Sequence, residues 1–367
     1  MGEVKLFFGP NHPGMHGNFS VHMYVEGDIV VRARPLPGFL HRGFEKLMER
    51  RLWYQNLALI PRICVPEPDI NEACYAMAIE KIAKVEVPER AQWIRMLVLE
   101  LARIANHLWS FGGIGGALGM YTSMFWSVSD RDKVLDIFEE LTGARIYHMY
   151  IIPGGVRKDL TPGLEDKISK LMDYIEEKLP EYETFILKNR ILHTRLKGIA
   201  KIDTETCLKI GVTGIGLRAT GVPYDIRKVD PYLFYDKVEF DIPTATEGDA
   251  YARISLKPKE IRQSIRIIRQ ILEKMPTGPV NVRISDGNGL RIRVPKGMAY
   301  ARVESTRGEY GYLVVSDGGE TPYRVAVRGA SYPQGLYGVE HFLPGTRIDD
   351  VPIWLDTMGV CAPEIDR

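Results

Sequence analysis

The sequence contains little cysteine. Its four cysteines are widely spaced and form no Cys-x-x-Cys pair: Cys64, Cys74, Cys207 and Cys361. This spacing argues against a disulfide scaffold and against a zinc ribbon, which need paired cysteines. It also gives no support for an iron–sulfur cluster held by this chain alone. Cys74 and Cys207 fit simple core packing, because a free cysteine is among the most often buried residue types.

No charge of one sign is in excess, since 48 Lys and Arg stand against 47 Asp and Glu, interspersed along the chain. A basic stripe that could neutralise phosphates is missing, so nucleic acid is not expected as a partner. Lysine, glutamate and arginine are nevertheless abundant and glutamine is scarce, a composition that suits a hyperthermophilic host.

The start of the sequence, MGEVKLFFGP, lacks the basic flank and long apolar segment of a secretory signal, so an intracellular protein is expected. The longest uncharged run, Ser110 to Ser129, has 20 residues, about the length of a membrane-spanning helix. Five of these residues are glycine and several carry hydroxyls. The run is therefore expected to be the start of a buried helix.

Periodicity divides the chain into a β beginning, a helical middle and a β end. Alternating strand patterns fill residues 3–34, with a hairpin at Gly27-Asp28. Helical spacing starts near Phe39, and Pro258 is expected to begin a further helix that ends before Pro276. The other predicted helices are 70–84, 88–109, 130–142 and 164–188, and the later strands are 290–294, 299–304, 311–315 and 323–328.

These patterns predict an α+β fold: a central helix bundle with a small N-terminal antiparallel sheet and a C-terminal β region. The chain shows no repeat and no low-complexity linker. Residues 1–367 are therefore expected to form one intertwined domain, with the sheet in 1–38, the mainly helical bundle in 39–285, and the β region with the C-terminal segment in 286–367.

The segment from Gly214 to Ala219 matches the dinucleotide-binding pattern G-x-G-x-x-[G/A]. That pattern needs a following helix whose N-terminus faces the pyrophosphate. Here Gly221-Val222-Pro223 interrupts any such helix. A glycine-rich turn is the preferred interpretation.

Two other segments carry candidate chemistry. His12 and His16 lie in GPNHPGMHG, where proline and glycine predict a loop and exclude a helical i, i+4 metal pair. Cys64 lies in RICVPEPD, where two prolines stiffen a thiol next to Glu67. A buried free cysteine is the alternative for Cys64, and Cys361 is no more informative by itself.

The order of several longer motifs is more informative: GPNHPGMHG, GFLHRGFEK, PRIC, CYAMAIEK, ERAQWIRMLVLELARIANHL, GLRATGVPYDIRK and ESTRGEYGYLVVSDGGETPYRV. In sequence and order they resemble the 49-kDa large subunit of respiratory complex I, the NADH-quinone oxidoreductase. That subunit is homologous to the large subunit of [NiFe] hydrogenases. The resemblance extends over essentially the whole chain.

The resemblance implies a site from which half the thiolates of a hydrogenase centre are missing. Hydrogenases hold nickel and iron with R-x-C-G-x-C and D-P-C-x-x-C. Here Arg62 and Cys64 match the first motif while Glu67 replaces its second cysteine. In the second motif Asp356 and Cys361 match, while Met358 replaces a cysteine. Carboxylate and thioether are poor substitutes for thiolate, so no metal and no nickel is expected here.

This half-retained pattern looks most like the large subunit of the membrane-bound sulfane sulfur reductase of hyperthermophilic archaea. The resemblance implies a ferredoxin-driven complex that reduces S–S bonds in polysulfides and pumps ions. The chain would bind no cofactor alone, with [4Fe-4S] clusters in adjacent iron–sulfur subunits of the peripheral arm. Its other implied partners are membrane-embedded antiporter-like and quinone-chamber-like subunits, which would keep it on the cytoplasmic side of the membrane.

The residues also suit this chemistry on their own terms, and the following roles are a hypothesis. Cys64 or Cys361 would carry persulfide sulfur, Glu67 would deliver protons, and His16 and Arg62 would stabilise anionic sulfur. The residues assigned to substrate binding are His12, Tyr75, Asp356 and Met358. The family framework predicts that Cys64 and Cys361 are neighbours around one cavity.

Two further functions stay open. In complex I subunits a loop histidine and a tyrosine, matching His16 and Tyr75, hold a quinone headgroup, so quinone reduction is the second candidate. The third is a non-catalytic scaffold that docks clusters and transmits motion to membrane subunits.

Overall fold

The computed structural model describes residues 2–12, 17–284 and 289–367. The N-terminal sheet has the order β1-β2-β3, with strands Val4–Phe8, Ser20–Glu26 and Ile29–Leu36, all antiparallel. Side chains alternate along β2, where Val21, Met23 and Val25 are buried. The predicted hairpin at Gly27-Asp28 is confirmed.

The middle of the chain is helical and the α+β class is confirmed. Three long helices form the bundle: α3 (Glu89–Ala117), α4 (Tyr121–Thr142) and α10 (Ala250–Lys274). Helix α2 (Pro68–Ala83) connects the bundle to the C-terminal sheet by packing on its strands β6 (Gly297–Ser305) and β7 (Gly308–Ser316). The bounds are α1 Phe44–Met48, α2 Pro68–Ala83, α3 Glu89–Ala117, α4 Tyr121–Thr142, α5 Leu164–Tyr182, α6 Arg190–Leu196, α7 Thr204–Ile210, α8 Gly214–Arg218, α9 Ile226–Val229 and α10 Ala250–Lys274.

Shorter elements complete this part. A two-stranded ladder joins β4 Ile151–Ile152 to β5 Gly155–Val156. A π turn, Glu183–Leu187, extends α5 and completes the region predicted as one helix over 164–188. Single 3-10 turns occur at Gln55–Ala58, Ile60–Arg62, Tyr235–Lys237 and Ile348–Asp350.

α3 is buried on most of its surface, so its charged side chains need internal partners. Arg95 forms an ion pair with Glu80, and its Nη2 lies 2.6 Å from the Glu80 carboxylate. Burial lowers the pKa of His107, and its neutral ring contacts the charged Glu260 on α10, with Nε2 2.9 Å from the carboxylate. These pairs offset the cost of burying charge.

The uncharged run Ser110–Ser129 forms the end of α3 and the start of α4. No helix of the described residues is long and apolar enough to cross a membrane. The two helices approach closely where Gly112 faces Ser127. The expected burial is wrong for the first turns of α4, because Tyr121, Phe125 and Trp126 are exposed.

The helix expected to start at Pro258 begins eight residues earlier. Asp249 caps it, since its carboxylate accepts a hydrogen bond from the amide of Ala252 at 2.7 Å. Pro258 lies inside α10 and is buried. The cap, which the sequence analysis missed, determines the start of the helix.

The C-terminal sheet has the order β6-β7-β8, with strands Gly297–Ser305, Gly308–Ser316 and Arg324–Arg328. The strand predicted at 290–294 is wrong: residues 291–294 form no ladder with any described residue. Its alternating pattern reflects burial alone, with Ile292 and Val294 in the core.

Short helices close the chain over the bundle: α11 Ser331–Pro333, α12 Val339–Phe342, α13 Val351–Met358 and α14 Ala362–Asp366, with a π turn at Gln334–Gly338. α13 packs against α3 and α10. This brings the C-terminal segment to the start of α2, where the candidate site lies. The division of the chain at residues 38 and 285 stays a prediction.

Candidate functional site

Cys64 lies in a short bend between the 3-10 turn Ile60–Arg62 and helix α2. Pro66 and Pro68 fix the backbone on both sides of Glu67, which is the N-cap residue of α2. The Cys64 side chain is fully buried. The thiol is therefore held on a stiff segment at a helix start.

Cys361 reaches the same point from the other end of the chain, as the N-cap residue of α14. The two sulfurs and a carboxylate oxygen of Glu364 all lie within 4.8 Å of one another. The predicted juxtaposition of Cys64 and Cys361 is confirmed. Their roles in chemistry stay predictions.

Arg307 supplies the positive charge at the two cysteines. It lies in the two-residue turn between β6 and β7, where Ser305 pairs with Gly308. Its Nη2 donates to Cys64 Sγ at 2.6 Å and lies 3.3 Å from Glu364. A guanidinium this close stabilises a thiolate.

Close backbone packing fixes the turn that carries Arg307. A Cβ atom at Gly214 would lie 2.4 Å from the amide nitrogen of Gly308, and Gly214 has a φ of 66°. α8 follows helix α7 instead of a strand. Gly214 therefore serves this contact, in agreement with the interpretation that its glycine pattern is not a dinucleotide-binding motif.

The two cysteines differ in their electrostatic environment. A hydrogen bond from the Cys64 thiol lowers the pKa of Cys361, and Arg307 acts in the same direction. Burial raises the pKa of Cys64, and the hydrogen bond to Cys361 adds to this effect. The pair therefore releases its first proton more readily than its second, and this ionisation belongs to both residues together.

Glu67 holds the arginine turn in place. Its carboxylate accepts hydrogen bonds from the amide and hydroxyl of Thr306 at 3.0 and 2.7 Å, and lies 3.2 Å from Arg307 Nη2. All of these partners are donors. In this geometry Glu67 orients Arg307.

Glu364 is the other buried carboxyl group at the site. Burial raises its pKa, although Arg307 acts in the opposite direction. Its Oε1 accepts a hydrogen bond from the amide of Ser331 at 2.6 Å. Glu364 therefore retains a proton more readily than an exposed glutamate does.

Arg62 and Tyr75 have other contacts. The Arg62 guanidinium hydrogen-bonds to the carbonyl of Ala58 and lies 5.0 Å from the ring of Tyr147. The arginine at the Cys64 sulfur is Arg307, so the position predicted for Arg62 belongs to Arg307. The Tyr75 hydroxyl is buried between the carbonyl of Trp53 and the amide of Asn56, at 3.2 and 3.0 Å.

Of the two predicted site histidines, His12 lies within the described residues. The ring of His12 packs against the ring of Phe8 at a tilt of 33°, with centroids 4.0 Å apart. His16 lies outside the described residues, so its predicted role at the site stays a prediction.

Asp356 and Met358 line a small cavity next to the arginine turn. The cavity has a volume of about 30 Å³. Arg307, Lys257 and His107 share its wall. These two predicted substrate-binding residues therefore face space adjoining Arg307, which contacts Cys64.

Sequence reasoning missed Arg307, Glu364 and Lys257. Arg307 stands in the ESTRGEYG motif that carried the family resemblance. Glu364 follows Cys361 by three residues at the start of a helix. Neither spacing indicates a contact with Cys64, because the partners come from distant parts of the sequence.

Comparison with protein families and curated relatives gives consistent matches. Residues 117–367 match the family described as the respiratory-chain NADH dehydrogenase 49 kDa subunit. A relative from Thermosipho melanesiensis, named as a subunit of NADH-quinone oxidoreductase, is 77% identical, with both chains covered completely. A subunit of the F(420)H(2) dehydrogenase of Methanosarcina mazei is 37% identical, with 100% of this chain and 98% of the relative covered.

Among solved structures, this chain is similar to a chain of the membrane-bound sulfane sulfur reductase, an archaeal respiratory membrane complex. The TM-score is 0.96 and the sequence identity is 47%. The match covers 100% of this chain and 98% of that chain.

Proposed function

Because the chain belongs to the family of the respiratory-chain NADH dehydrogenase 49 kDa subunit, we propose that it is the large subunit of a complex that reduces sulfane sulfur. As a family member it is a subunit of a complex I-like oxidoreductase, and other subunits are its partners. The observation that carries the finer proposal is the buried pair Cys64 and Cys361 with Arg307 at 2.6 Å from one sulfur. A thiolate is the nucleophile that S–S chemistry requires.

The first step is thiol exchange. The Cys361 thiolate attacks a terminal sulfur of a polysulfide, Sn²⁻, and an S–S bond of the polysulfide breaks. The products are a cysteine persulfide, Cys–S–S⁻, and a polysulfide shorter by one sulfur. Arg307 stabilises the negative charge on sulfur through this exchange.

The second step reduces the persulfide. Two electrons and two protons convert Cys–S–S⁻ into Cys–SH and HS⁻. The electrons come from iron–sulfur clusters in neighbouring subunits, with ferredoxin as the donor to the complex. Glu364 supplies a proton, because its raised pKa keeps one available. Glu67 orients Arg307.

We also propose that the chain holds no nickel–iron centre. Two thiols are present where a hydrogenase centre uses four, and Glu67 is engaged with Thr306 and Arg307. Arg307 also places a positive charge at Cys64, where a metal would bind. The residues present do not fit such a centre.

The test uses the purified complex with reduced ferredoxin. Wild type is expected to release sulfide from polysulfide, and Cys64→Ser together with Cys361→Ser is expected to abolish this release. Cys207→Ser is the matched control, since Cys207 is also buried but is not one of the residues grouped at this site. Full turnover in the double variant refutes the cysteine mechanism.

Two parallel measurements address the alternatives. Quinol formation without sulfide release would favour the quinone-reducing function, for which the 77% identical relative is named. Stoichiometric nickel by elemental analysis would refute the absence of a nickel–iron centre.

A further inference from the structure

The small cavity next to the arginine turn has a wall that includes polar and charged groups. Its volume is about 30 Å³, and its lining includes Asn106, His107, Lys257, Arg307, Asp356 and Met358. Arg307 also contacts Cys64 Sγ at 2.6 Å. The cavity is therefore connected to the sulfur site through one side chain.

Lys257 is the unusual group in this wall. It lies in α10 with 4% of its surface exposed. The structure records neither a hydrogen bond nor an ion pair between its ammonium group and any other described residue. An ammonium group buried without a partner is costly. A ligand that supplies the missing partner would remove that cost.

Two other buried cations, Arg218 and Arg253, differ from Lys257 because each has hydrogen-bond or ion-pair partners. Arg218 lies 2.7 Å from Glu260 and 2.7 Å from Glu304. Arg253 donates to Thr357 and to two backbone carbonyls, and no described carboxylate forms an ion pair with it. Lys257 alone of these cations faces the cavity.

Charged groups of both signs surround Lys257. Asp356 and Glu260 attract its ammonium group, while Arg307 and Arg253 repel it. Glu260 is already engaged with Arg218 and with His107. Burial lowers the pKa of Lys257 to about 8, so the ammonium form persists at neutral pH.

We propose that this cavity binds one small monoanion between Lys257 and Arg307, and that the anion is hydrosulfide during turnover. The size fits, because a cavity needs a volume of roughly 10 to 15 Å³ to hold one water molecule. This cavity, at about 30 Å³, has about twice that volume. The identity of the anion rests on the proposed reduction of sulfane sulfur, whose second step releases HS⁻. Lys257 receives this product in a cavity whose wall includes Arg307, and Arg307 contacts Cys64 Sγ at 2.6 Å.

The experiment compares three variants of the purified complex with wild type. Lys257→Met removes the charge and keeps an unbranched side chain of similar length, and Lys257→Arg keeps the charge. Lys259→Met is the matched control, because it lies two residues away on α10 and is exposed. Crystals soaked in sodium bromide report anion binding by anomalous scattering, and sodium hydrosulfide is titrated as a product inhibitor of polysulfide reduction.

We expect a bromide peak in the cavity of wild type, Lys257→Arg and Lys259→Met, and none in Lys257→Met. The inhibition constant for hydrosulfide is expected to rise at least tenfold in Lys257→Met and to change less than threefold in Lys259→Met. An empty cavity in wild type, at a bromide concentration that fills surface sites, overturns the proposal. So does an unchanged inhibition constant in Lys257→Met.

The two proposals fail in different ways. Bromide in the cavity of a complex that releases no sulfide supports the anion site and refutes sulfane sulfur reduction. Sulfide release with no bromide in the cavity supports the reduction and refutes the anion site. If Lys257→Met prevents assembly, the bromide result with wild type decides alone.

Discussion

Replacing Arg307 with methionine tests the electrostatic basis of the site. The guanidinium has three buried partners of negative or acceptor character: Cys64 at 2.6 Å, Glu67 at 3.2 Å and Glu364 at 3.3 Å. Methionine fills a similar volume but carries no charge. The substitution therefore removes the positive charge of the guanidinium and the contacts that it makes. Glu67 and Glu364 would then keep their hydrogen bonds to Thr306 and Ser331 but lose the buried cation.

The expected loss can be estimated from similar buried pairs. Removing one partner of a buried ion pair costs about 3 to 5 kcal/mol. The entropy of unfolding averages about 2.1 cal/mol/K per residue, so for a chain of 367 residues this loss lowers Tm by roughly 4 to 6 °C. The pKa of Cys361 is expected to rise at the same time, because Arg307 helps to lower it.

The assay is differential scanning calorimetry of the 367-residue chain. Arg324→Met is the matched control, since Arg324 also bridges two glutamates, Glu45 and Glu49, but is 45% exposed. Each exposed pair contributes about 0.2 to 1 kcal/mol, so losing both is expected to lower Tm by roughly 0.5 to 3 °C.

A second variant identifies the cause of the loss. Combining Arg307→Met with Glu67→Gln removes the charge of Glu67 as well, and we expect the double variant to be more stable than Arg307→Met alone. Equal Tm losses in Arg307→Met and Arg324→Met would refute the reasoning.

Two further predictions concern the scaffold. Burial opposes the charged form of His148, but Asp69 at 2.8 Å raises the pKa of His148 above 6.5. The stabilisation that this ion pair gives the protein is therefore complete below pH 6.5 and is lost as pH rises through the raised pKa. We expect this fall in Tm to disappear in His148→Gln, and an unchanged slope would contradict the assignment. Gly112→Ala would place a Cβ 1.7 Å from Ser127 Oγ and is expected to cost about 1 to 3 kcal/mol. At Gly113 an added Cβ would have no neighbouring atom nearer than 3.9 Å, so Gly113→Ala is expected to stabilise α3 by up to about 1 kcal/mol. Calorimetric shifts in Tm of the same sign in both variants would refute the packing argument.

Periodicity was sufficient to predict the elements whose pattern is local. The hairpin at Gly27-Asp28 and the buried stripe of α3 followed from alternation and from three- and four-residue spacing. The presence and the first residue of an element were harder to predict where a capping residue or a partner strand determines them. The cap at Asp249 starts α10 before Pro258. Residues 290–294 alternate between apolar and polar side chains but pair with no described strand.

The candidate site was predictable only where the family framework supplied the distant contact. Nothing local to Cys64 or Cys361 indicates that they meet, and only the matched motifs did so. Arg307 could not be assigned in the same way, because its direction depends on a two-residue turn packed against Gly214. Charge and proximity along the sequence favoured Arg62, but the fold placed another arginine at the sulfur.

The meeting of Cys64 and Cys361 also has a consequence for the order of folding. Contacts between opposite ends of a chain carry a large loop-closure entropy, so they form after the local helices and hairpins. A chain caught before this closure has two separate, accessible thiols in place of one shielded pair. The loss of pulsed alkylation at Cys64 during refolding would therefore report when this closure occurs.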